Sequence, residues 1–214
     1  MDIREDIQNC DKKFKTILAD PPWRFQNSTG KMAPEHKRLS RYPTMNLEDI
    51  KSLPVSNLCD KPAHLYLWVP NALLTEGLEV MKSWGFKYKT NIIWYKIRKD
   101  GGPDRRGVGF YFRNVTEVVL FGVKGSMRTL QKGRSQENII LERKREHSRK
   151  PDGLYKIIEE CSEGEYLELF GRGTRDGWNA SVINLSFITS HGILTKTALN
   201  QLTILNQLNN FISR

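Results

Sequence analysis

Short apolar runs alternate along the chain with stretches in which apolar residues recur every three or four positions. Continuous apolar runs are typical of strands buried on both faces, and the three- and four-residue spacing is typical of amphipathic helices. The pattern predicts strands at residues 16–20, 63–69, 91–95, 115–123, 139–141 and 166–170, and helices at 47–50, 72–84 and 152–161. This alternation predicts an α/β fold with a mostly parallel sheet and helices on both faces.

Two residues mark predicted helix boundaries. Asn46 precedes the first helix, and its side chain is a favoured N-cap. Gly85 follows the second helix, where a glycine commonly ends the last turn.

The first strand runs directly into Asp20, Pro21, Pro22 and Trp23. Two prolines prevent the strand or a helix from continuing, and neither has a backbone N–H. The predicted turn therefore presents a carboxylate and carbonyl oxygens with few competing donors, which suits a ligand that brings an exocyclic amino group. Trp23 would offer a flat face for a base. The alternative is a proline-terminated strand beside a surface tryptophan.

A second turn follows the last predicted strand, where Gly171 and Gly173 flank Arg172. Ligands of parallel sheets bind beyond the carboxyl ends of the strands, and small residues there allow close approach to the backbone. Glu168 on the preceding strand is an acid that can accept hydrogen bonds from ribose hydroxyls. A single Gly-x-Gly is also common in ordinary turns.

The sequence D-P-P-W after a hydrophobic strand resembles the signature of the MT-A70 family of S-adenosylmethionine-dependent adenine N6-methyltransferases. The similarity covers about residues 1–178 and includes Y-P-T-M (42–45), H-L-Y-L-W-V (64–69), G-V-K-G (122–125), H-S-R-K-P-D (147–152) and E-L-F-G-R (168–172). Residues 25–45 are similar to the bacterial and phage members.

The resemblance implies a Rossmann-like methyltransferase fold in which the catalytic turn precedes the cofactor turn, a permuted motif order. It implies catalysis by Asp20, Pro21, Pro22 and Trp23. It implies S-adenosylmethionine binding by Asp2, Ile3, Asp20, Lys150, Glu168, Gly171, Arg172 and Gly173. Lys150 would pair with the cofactor carboxylate, Glu168 and Arg172 would contact the ribose, and Asp2 and Ile3 would line the adenine. From the residues alone, Lys150 to Asp152 is also an ordinary helix start.

The formal charge of +10 is concentrated in residues 96–150, which contain 15 Lys or Arg and 6 Asp or Glu. Such a region is typical of phosphate-backbone binders, although a solvated basic face has the same composition. We expect the glycine-containing loop between the strands at 91–95 and 115–123 to hold phosphates, and Trp23 and Tyr42 to stack on the target base. The loop cations are Arg98, Lys99, Arg105, Arg106 and Arg113.

The composition changes after residue 180, so we expect a catalytic domain at 1–180 and a divergent tail at 181–214. Leucines at three- and four-residue spacing predict a helix at 197–212, with a frayed tail as the alternative. The chain departs from the family's W-G-N-E/Q run at Trp178–Ser181.

The three cysteines are widely spaced and indicate neither a disulfide framework nor a metal site. No run has the length of a membrane span, and the first residues do not form a secretion signal, so we expect a cytoplasmic protein. The resemblance of residues 25–45 implies a prokaryotic or phage origin.

The sequence thus predicts methyl transfer to the N6 amino group of adenine in nucleic acid, DNA rather than RNA, with no membrane partner. An RNA methyltransferase and a non-catalytic nucleic-acid-binding subunit remain as alternatives. A homodimer or a partner subunit of the same family is compatible with this prediction.

Overall fold

A seven-stranded mixed sheet forms the centre of the fold. The computed structural model describes residues 7–24, 44–104, 111–145, 149–171, 173 and 175–180. Its strands are β1 (Phe14–Ala19), β2 (Cys59–Val69), β3 (Lys87–Ile97), β4 (Thr116–Lys124), β5 (Ile139–Arg143), β6 (Tyr166–Leu169) and β7 (Trp178–Asn179). Helices form at Leu47–Lys51 (α1), Leu74–Ser83 (α2) and Asp152–Cys161 (α3), with 3₁₀ turns at Val55–Leu58, Asn71–Leu73 and Gln131–Arg134.

Each strand and helix predicted within the described residues is present, and the differences lie at the boundaries, whereas the helix predicted at 197–212 lies outside the described residues. β2 and β3 are both longer than predicted, because pairing with neighbouring strands extends them beyond their apolar runs. β7 was not predicted. It has only two residues and exists through its pairing with β6, so its own pattern carries no strand signal.

The strand order is β5-β3-β4-β2-β1-β6-β7. β4 pairs antiparallel with β2 and β3, and the other neighbouring pairs are parallel. Six strands therefore run in one direction, which confirms the prediction of a mostly parallel sheet. Five of them, β1, β2, β3, β5 and β6, end at one edge, where β4 begins. We name it the carboxyl edge, and the opposite edge is the amino edge.

Helices pack on both faces of the sheet, as predicted. Residues of β2 alternate between two hydrophobic clusters: Leu65 and Leu67 pack with α1 and α2, and Tyr66 and Trp68 pack with α3. This period of two is the geometry of a strand buried on both sides. The central strands are consequently rigid supports for the turns at the carboxyl edge.

The predicted helix boundaries are confirmed. The Asn46 side chain accepts a hydrogen bond from the Asp49 N–H at 2.8 Å and caps α1. Gly85 has a positive φ and follows the end of α2, where the Phe86 N–H bonds to the Met81 carbonyl. Trp84 Nε1 donates to the Ile50 carbonyl at 2.9 Å and ties α2 to α1.

All three cysteines are free, with Cys59 and Cys161 buried and Cys10 half-buried. Among the described residues, no helix combines the length and apolarity that a membrane crossing requires. The described residues also contain no group of three or more His, Cys, Asp or Glu side chains that could hold a metal ion.

Candidate active site

The turn after β1 is fastened to its neighbours on both sides. The Asp20 N–H donates to the Leu169 carbonyl at the end of β6, and the Met45 N–H donates to the Pro22 carbonyl. The Pro21 carbonyl accepts the Trp23 N–H at 2.8 Å, and a carbonyl oxygen has a second lone pair. The turn therefore presents the Asp20 carboxylate and one acceptor position on Pro21 at the carboxyl edge.

Trp23 does not provide an open stacking face, so that prediction is wrong. Its side chain is 7% exposed and belongs to the core cluster under α1 and α2. Its Nε1 donates to the Trp68 carbonyl at 2.9 Å. Because the turn folds back over the end of β2, the indole becomes an anchor that fixes the turn, which the local sequence does not reveal.

Four charged side chains form an ion cluster beside this turn. Lys150 Nζ lies 3.3 Å from Asp20 Oδ1 and 3.0 Å from Glu117 Oε2. Lys96 Nζ lies 2.6 Å from Glu117 Oε1. The Lys150 ammonium also lies 4.4 Å from the centre of the Trp68 ring, a favourable cation–π distance. The cluster joins residues from β3, β4, the β1 turn and the segment before α3.

The ion cluster changes the protonation of its members. Burial opposes ionisation of Glu117, but the ammonium groups of Lys150 and Lys96 outweigh it and lower the pKa of Glu117 to about 2. Burial likewise disfavours the charged form of Lys150, but Asp20 and Glu117 raise its pKa above the ordinary lysine value. At neutral pH the turn therefore faces a fixed positive charge that is held by two carboxylates.

A second acid lies nearby on β6. Glu168 accepts a hydrogen bond from the Tyr155 hydroxyl at 2.8 Å. Burial and the negative charge of Asp20 raise the pKa of Glu168, while Tyr155 and the charge of Arg175 oppose that rise. The Arg175 guanidinium lies 3.9 Å from the Tyr155 ring centre and 3.2 Å from Asp152. Tyr155 is thus held in place on one side by Arg175 and bonded to Glu168 on the other.

The two glycines of the last turn have different surroundings. A Cβ on Gly171 would lie 2.9 Å from Glu168 Cδ, so this glycine leaves space for the Glu168 side chain. A Cβ on Gly173 would meet no described atom within 4 Å. The described residues therefore leave space beside Gly173 for a ligand to approach the backbone.

The described carboxyl edge brings together three carboxylates, those of Asp20, Glu117 and Glu168, the ammonium groups of Lys96 and Lys150, and a glycine turn. This donor and acceptor set suits a ligand with hydroxyl or amino donors and one anionic group. The MT-A70 family matches residues 14–182 of the chain, which include all of these groups. The chain belongs to the MT-A70 family.

Similar proteins include the N(6)-adenosine-methyltransferase catalytic subunit METTL3 of Homo sapiens, 33% identical over 162 residues that cover 75% of this chain and 26% of that protein. The N(6)-adenosine-methyltransferase MT-A70-like protein of Drosophila melanogaster is also 33% identical over 162 residues, which cover 75% of this chain and 24% of the fly protein. The Type II methyltransferase M.MunI of a Mycoplasma species is 27% identical over 187 residues, which cover 78% of this chain and 76% of the Mycoplasma protein.

The chain thus spans about a quarter of the fly and human relatives and most of the Mycoplasma protein. Because these relatives come from insects and vertebrates as well as from Mycoplasma, the predicted bacterial or phage type is not established.

The predicted phosphate loop of this MT-A70 protein leaves the sheet at the carboxyl edge, between β3 and β4. Arg98 is bound within the loop: its guanidinium contacts Asp100 at 2.8 and 3.1 Å, in a turn closed by the bond from the Arg98 N–H to the Gly102 carbonyl. Lys99 and Arg113 are exposed. Phosphate binding by these residues stays a prediction.

The structure brings together Asp20, Lys150 and Glu168, which the sequence singled out individually. Six of the predicted site residues lie outside the described part of the chain: Asp2, Ile3, Tyr42, Arg105, Arg106 and Arg172. The predicted tail at 181–214 also lies outside it.

Sequence reasoning missed Glu117, Lys96, Tyr155 and Arg175. One signal was available for Glu117, an acid near the start of a strand that is otherwise apolar. A charge inside such a run requires a partner, which here is Lys150. The partner itself was visible only after the chain was folded.

Proposed function

We propose that this protein transfers a methyl group from S-adenosylmethionine to the N6 amino group of adenine in nucleic acid, with DNA as the substrate. The observation that supports this most strongly is the Asp20 carboxylate, held 3.3 Å from Lys150 Nζ on the D-P-P-W turn of an MT-A70 chain. A surface that only attracted nucleic acid would not need a carboxylate among proline carbonyls.

The residues at the carboxyl edge fit S-adenosylmethionine. Lys150 is the cation for the cofactor carboxylate, since Glu117 keeps it charged and oriented. Glu168 is the acceptor for ribose hydroxyls, and the space beside Gly173 admits the cofactor to the turn. When bound, this cofactor supplies an electrophilic methyl group on a sulfonium centre.

The protein's own contribution to the reaction is orientation. The Asp20 carboxylate and the second lone pair of the Pro21 carbonyl would accept the two hydrogens of an adenine amino group. These bonds draw electron density to N6 and fix its direction of attack. Orientation of this kind is worth roughly 7–11 kcal/mol of a reaction barrier. Trp23 supports the reaction indirectly, because its buried ring anchors the turn.

We choose DNA as the substrate because of the share of each relative's length that this chain matches. The chain spans 76% of the Type II methyltransferase M.MunI but only 24–27% of the first plant, fly and human relatives, which are named as N(6)-adenosine-methyltransferases. That adenosine name also supports an RNA substrate, so RNA is the second candidate.

We expect labelled methyl transfer from S-adenosylmethionine to adenine in DNA, and Asp20→Asn should lower the rate by roughly two to three orders of magnitude. Losses of this size follow removal of one preorganised hydrogen bond at a reacting group. The control is Asp60→Asn, an acid at the start of β2 on the amino edge, which should retain the activity.

The same oligonucleotide sequences should be tested as DNA and as RNA. If methyl is transferred to the RNA and not to the DNA, the substrate is RNA, the second candidate. Nucleic-acid binding by the wild type without cofactor binding or transfer would show a non-catalytic subunit.

A further inference from the structure

Two neighbouring aromatic side chains, Tyr111 and Phe112, project almost completely into solvent. Tyr111 is 94% and Phe112 is 85% exposed, and the other large exposed hydrophobic residues in the described part of the chain reach at most 60%. Single exposed apolar side chains are common on proteins, but an adjacent pair of open rings is a surface with a binding capacity of its own.

The pair is held at the carboxyl edge. It precedes β4, and the chain after it is attached to the turn that follows β2. Asn71 Nδ2 donates to the Thr116 carbonyl and to Thr116 Oγ1, each at 3.2 Å, and to Asn114 Oδ1 at 3.5 Å. That turn lies beside the D-P-P-W turn, because β1 and β2 are neighbours. The rings therefore share an edge of the sheet with Asp20.

The distance to the ion cluster is bounded by the chain itself. Five residue steps separate Phe112 from Glu117, so their Cα atoms lie at most about 18 Å apart. Glu117 in turn binds Lys150, which binds Asp20. Stacked nucleotides rise about 3.4 Å each along a strand, so the limit of about 18 Å between Phe112 and Glu117 corresponds to about five nucleotides. The contacts from Glu117 through Lys150 to Asp20 add to that separation.

Within the described part of the chain, the aromatic side chains beside Asp20 are not available for stacking. Trp23 is buried, and Trp68 is buried with the Lys150 ammonium over its ring. At the carboxyl edge, Tyr111 and Phe112 are the described aromatic side chains with open faces. Exposed Lys99 and Arg113 belong to the same loop, and Arg113 directly follows the two rings in the chain.

We infer that Tyr111 and Phe112 form a stacking platform for the bases that flank the target adenine in a single-stranded or locally opened strand. The inference rests on the proposed function and names a binding surface for its substrate. Stacking tolerates every base, because each has a π-face. The platform therefore fixes the path of the strand and does not select its sequence.

The test compares the double variant Tyr111→Ala/Phe112→Ala with the wild type in binding to single-stranded DNA of about 15 nucleotides with a central adenine. A second probe carries abasic sites at the positions flanking the adenine. The wild type should bind the abasic probe more weakly, by roughly 5- to 150-fold for each stacked base lost. The double variant should bind both probes equally, at the level of wild type with the abasic probe.

Two further measurements make the result specific. The slope of log affinity against log salt should not change in the double variant, because no phosphate contact is removed. The control Tyr88→Ala removes a 44% exposed ring at the amino end of β3, and it should distinguish the two probes as well as the wild type does.

Equal binding of both probes by the wild type would overturn the platform. So would a double variant that still distinguishes them. If the double substitution alters the sedimentation behaviour and leaves the binding of both probes unchanged, the rings contact a second copy of the protein instead. If the base-dependent difference is found but no methyl is transferred, the platform stands and the proposed reaction fails.

Discussion

At the scale of single residues, Glu117 connects the two ammonium groups of the ion cluster. It is the only described residue that binds both Lys96 and Lys150, at 2.6 and 3.0 Å. A buried ammonium without a partner is strongly unfavourable, so Lys150 depends on this carboxylate as well as on Asp20. Removing either acid leaves the lysine with one partner.

We predict that Glu117→Gln lowers the free energy of unfolding at pH 7 by about 1–3 kcal/mol. The folded pKa of Glu117 is about 2 and its ordinary value is 4.5, so its contribution is complete above pH 4.5 and is lost as the pH falls towards 2. The difference between the variant and the wild type should therefore shrink over that range in urea titrations.

The matched control is Glu163→Gln, which breaks the 2.6 Å pair with Lys15 between two largely exposed side chains. Exposed pairs contribute little, so the stability should hardly change. If the wild type and Glu117→Gln differ in free energy of unfolding by the same amount at pH 3 and at pH 7, the low pKa does not belong to Glu117.

At the scale of elements, the contact between α2 and β2 determines how closely a helix can lie on the sheet. A Cβ on Gly77 would lie 2.5 and 2.6 Å from the two Cγ atoms of Val69, nearer than any real contact. β2 ends at Val69, and the next residues form the turn beside Asp20. The glycine therefore permits a close helix that supports the carboxyl edge.

We predict that Gly77→Ala destabilises the protein by about 1–2 kcal/mol. Alanine favours a helix by about 1 kcal/mol relative to glycine, but overpacking a tight contact costs about 1–3 kcal/mol or more. Gly164→Ala is the control, because its Cβ would meet Tyr166 at an ordinary 3.7 Å. The loss of stability caused by Gly77→Ala should be smaller when Val69 is also replaced by Ala. If the losses of the two substitutions simply add in the double variant, a clash with Val69 is not the cause.

At the scale of the whole molecule, a second polar group lies towards the amino edge, away from the ion cluster. His64 Nδ1 lies 2.8 Å from Ser162 Oγ, and the Tyr66 hydroxyl lies 2.7 Å from the same atom. No described atom makes a hydrogen bond of ordinary geometry to His64 Nε2. Burial lowers the pKa of His64, while the Met127 backbone and the charge of Glu163 weakly oppose this shift.

We predict that the wild type loses stability as the pH falls below about 6.5. In the unfolded state His64 has a pKa of about 6.5, and in the folded state its pKa is lower. Between these two pKa values the unfolded state binds more protons, so lowering the pH favours unfolding. In His64→Gln this contribution is absent, and stability should vary less between pH 8 and pH 5 in urea unfolding. Equal pH dependence in both proteins would exclude His64 as the titrating group.

Local patterns determined the elements and the individual site residues. Apolar periodicity was sufficient for the described helices and for every described strand except β7, because burial on one or two faces imposes the period on the sequence itself. The D-P-P-W turn was also visible, since prolines act on the backbone of their own neighbourhood. The prediction that Asp20 and Glu168 lie at strand ends on one edge followed from the α/β order.

Tertiary structure decided which of these residues meet and which are buried. Glu117 and Lys150 are 33 residues apart, and their pairing depends on the strand order that brings β4 near the β1 turn. Trp23 was predicted to offer an open face but is buried, while Tyr111 and Phe112, which the sequence pattern did not single out, are exposed. The physical reason is that burial and charge pairing are set by neighbours distant in the chain, whereas periodicity and turn chemistry are set by neighbours within it.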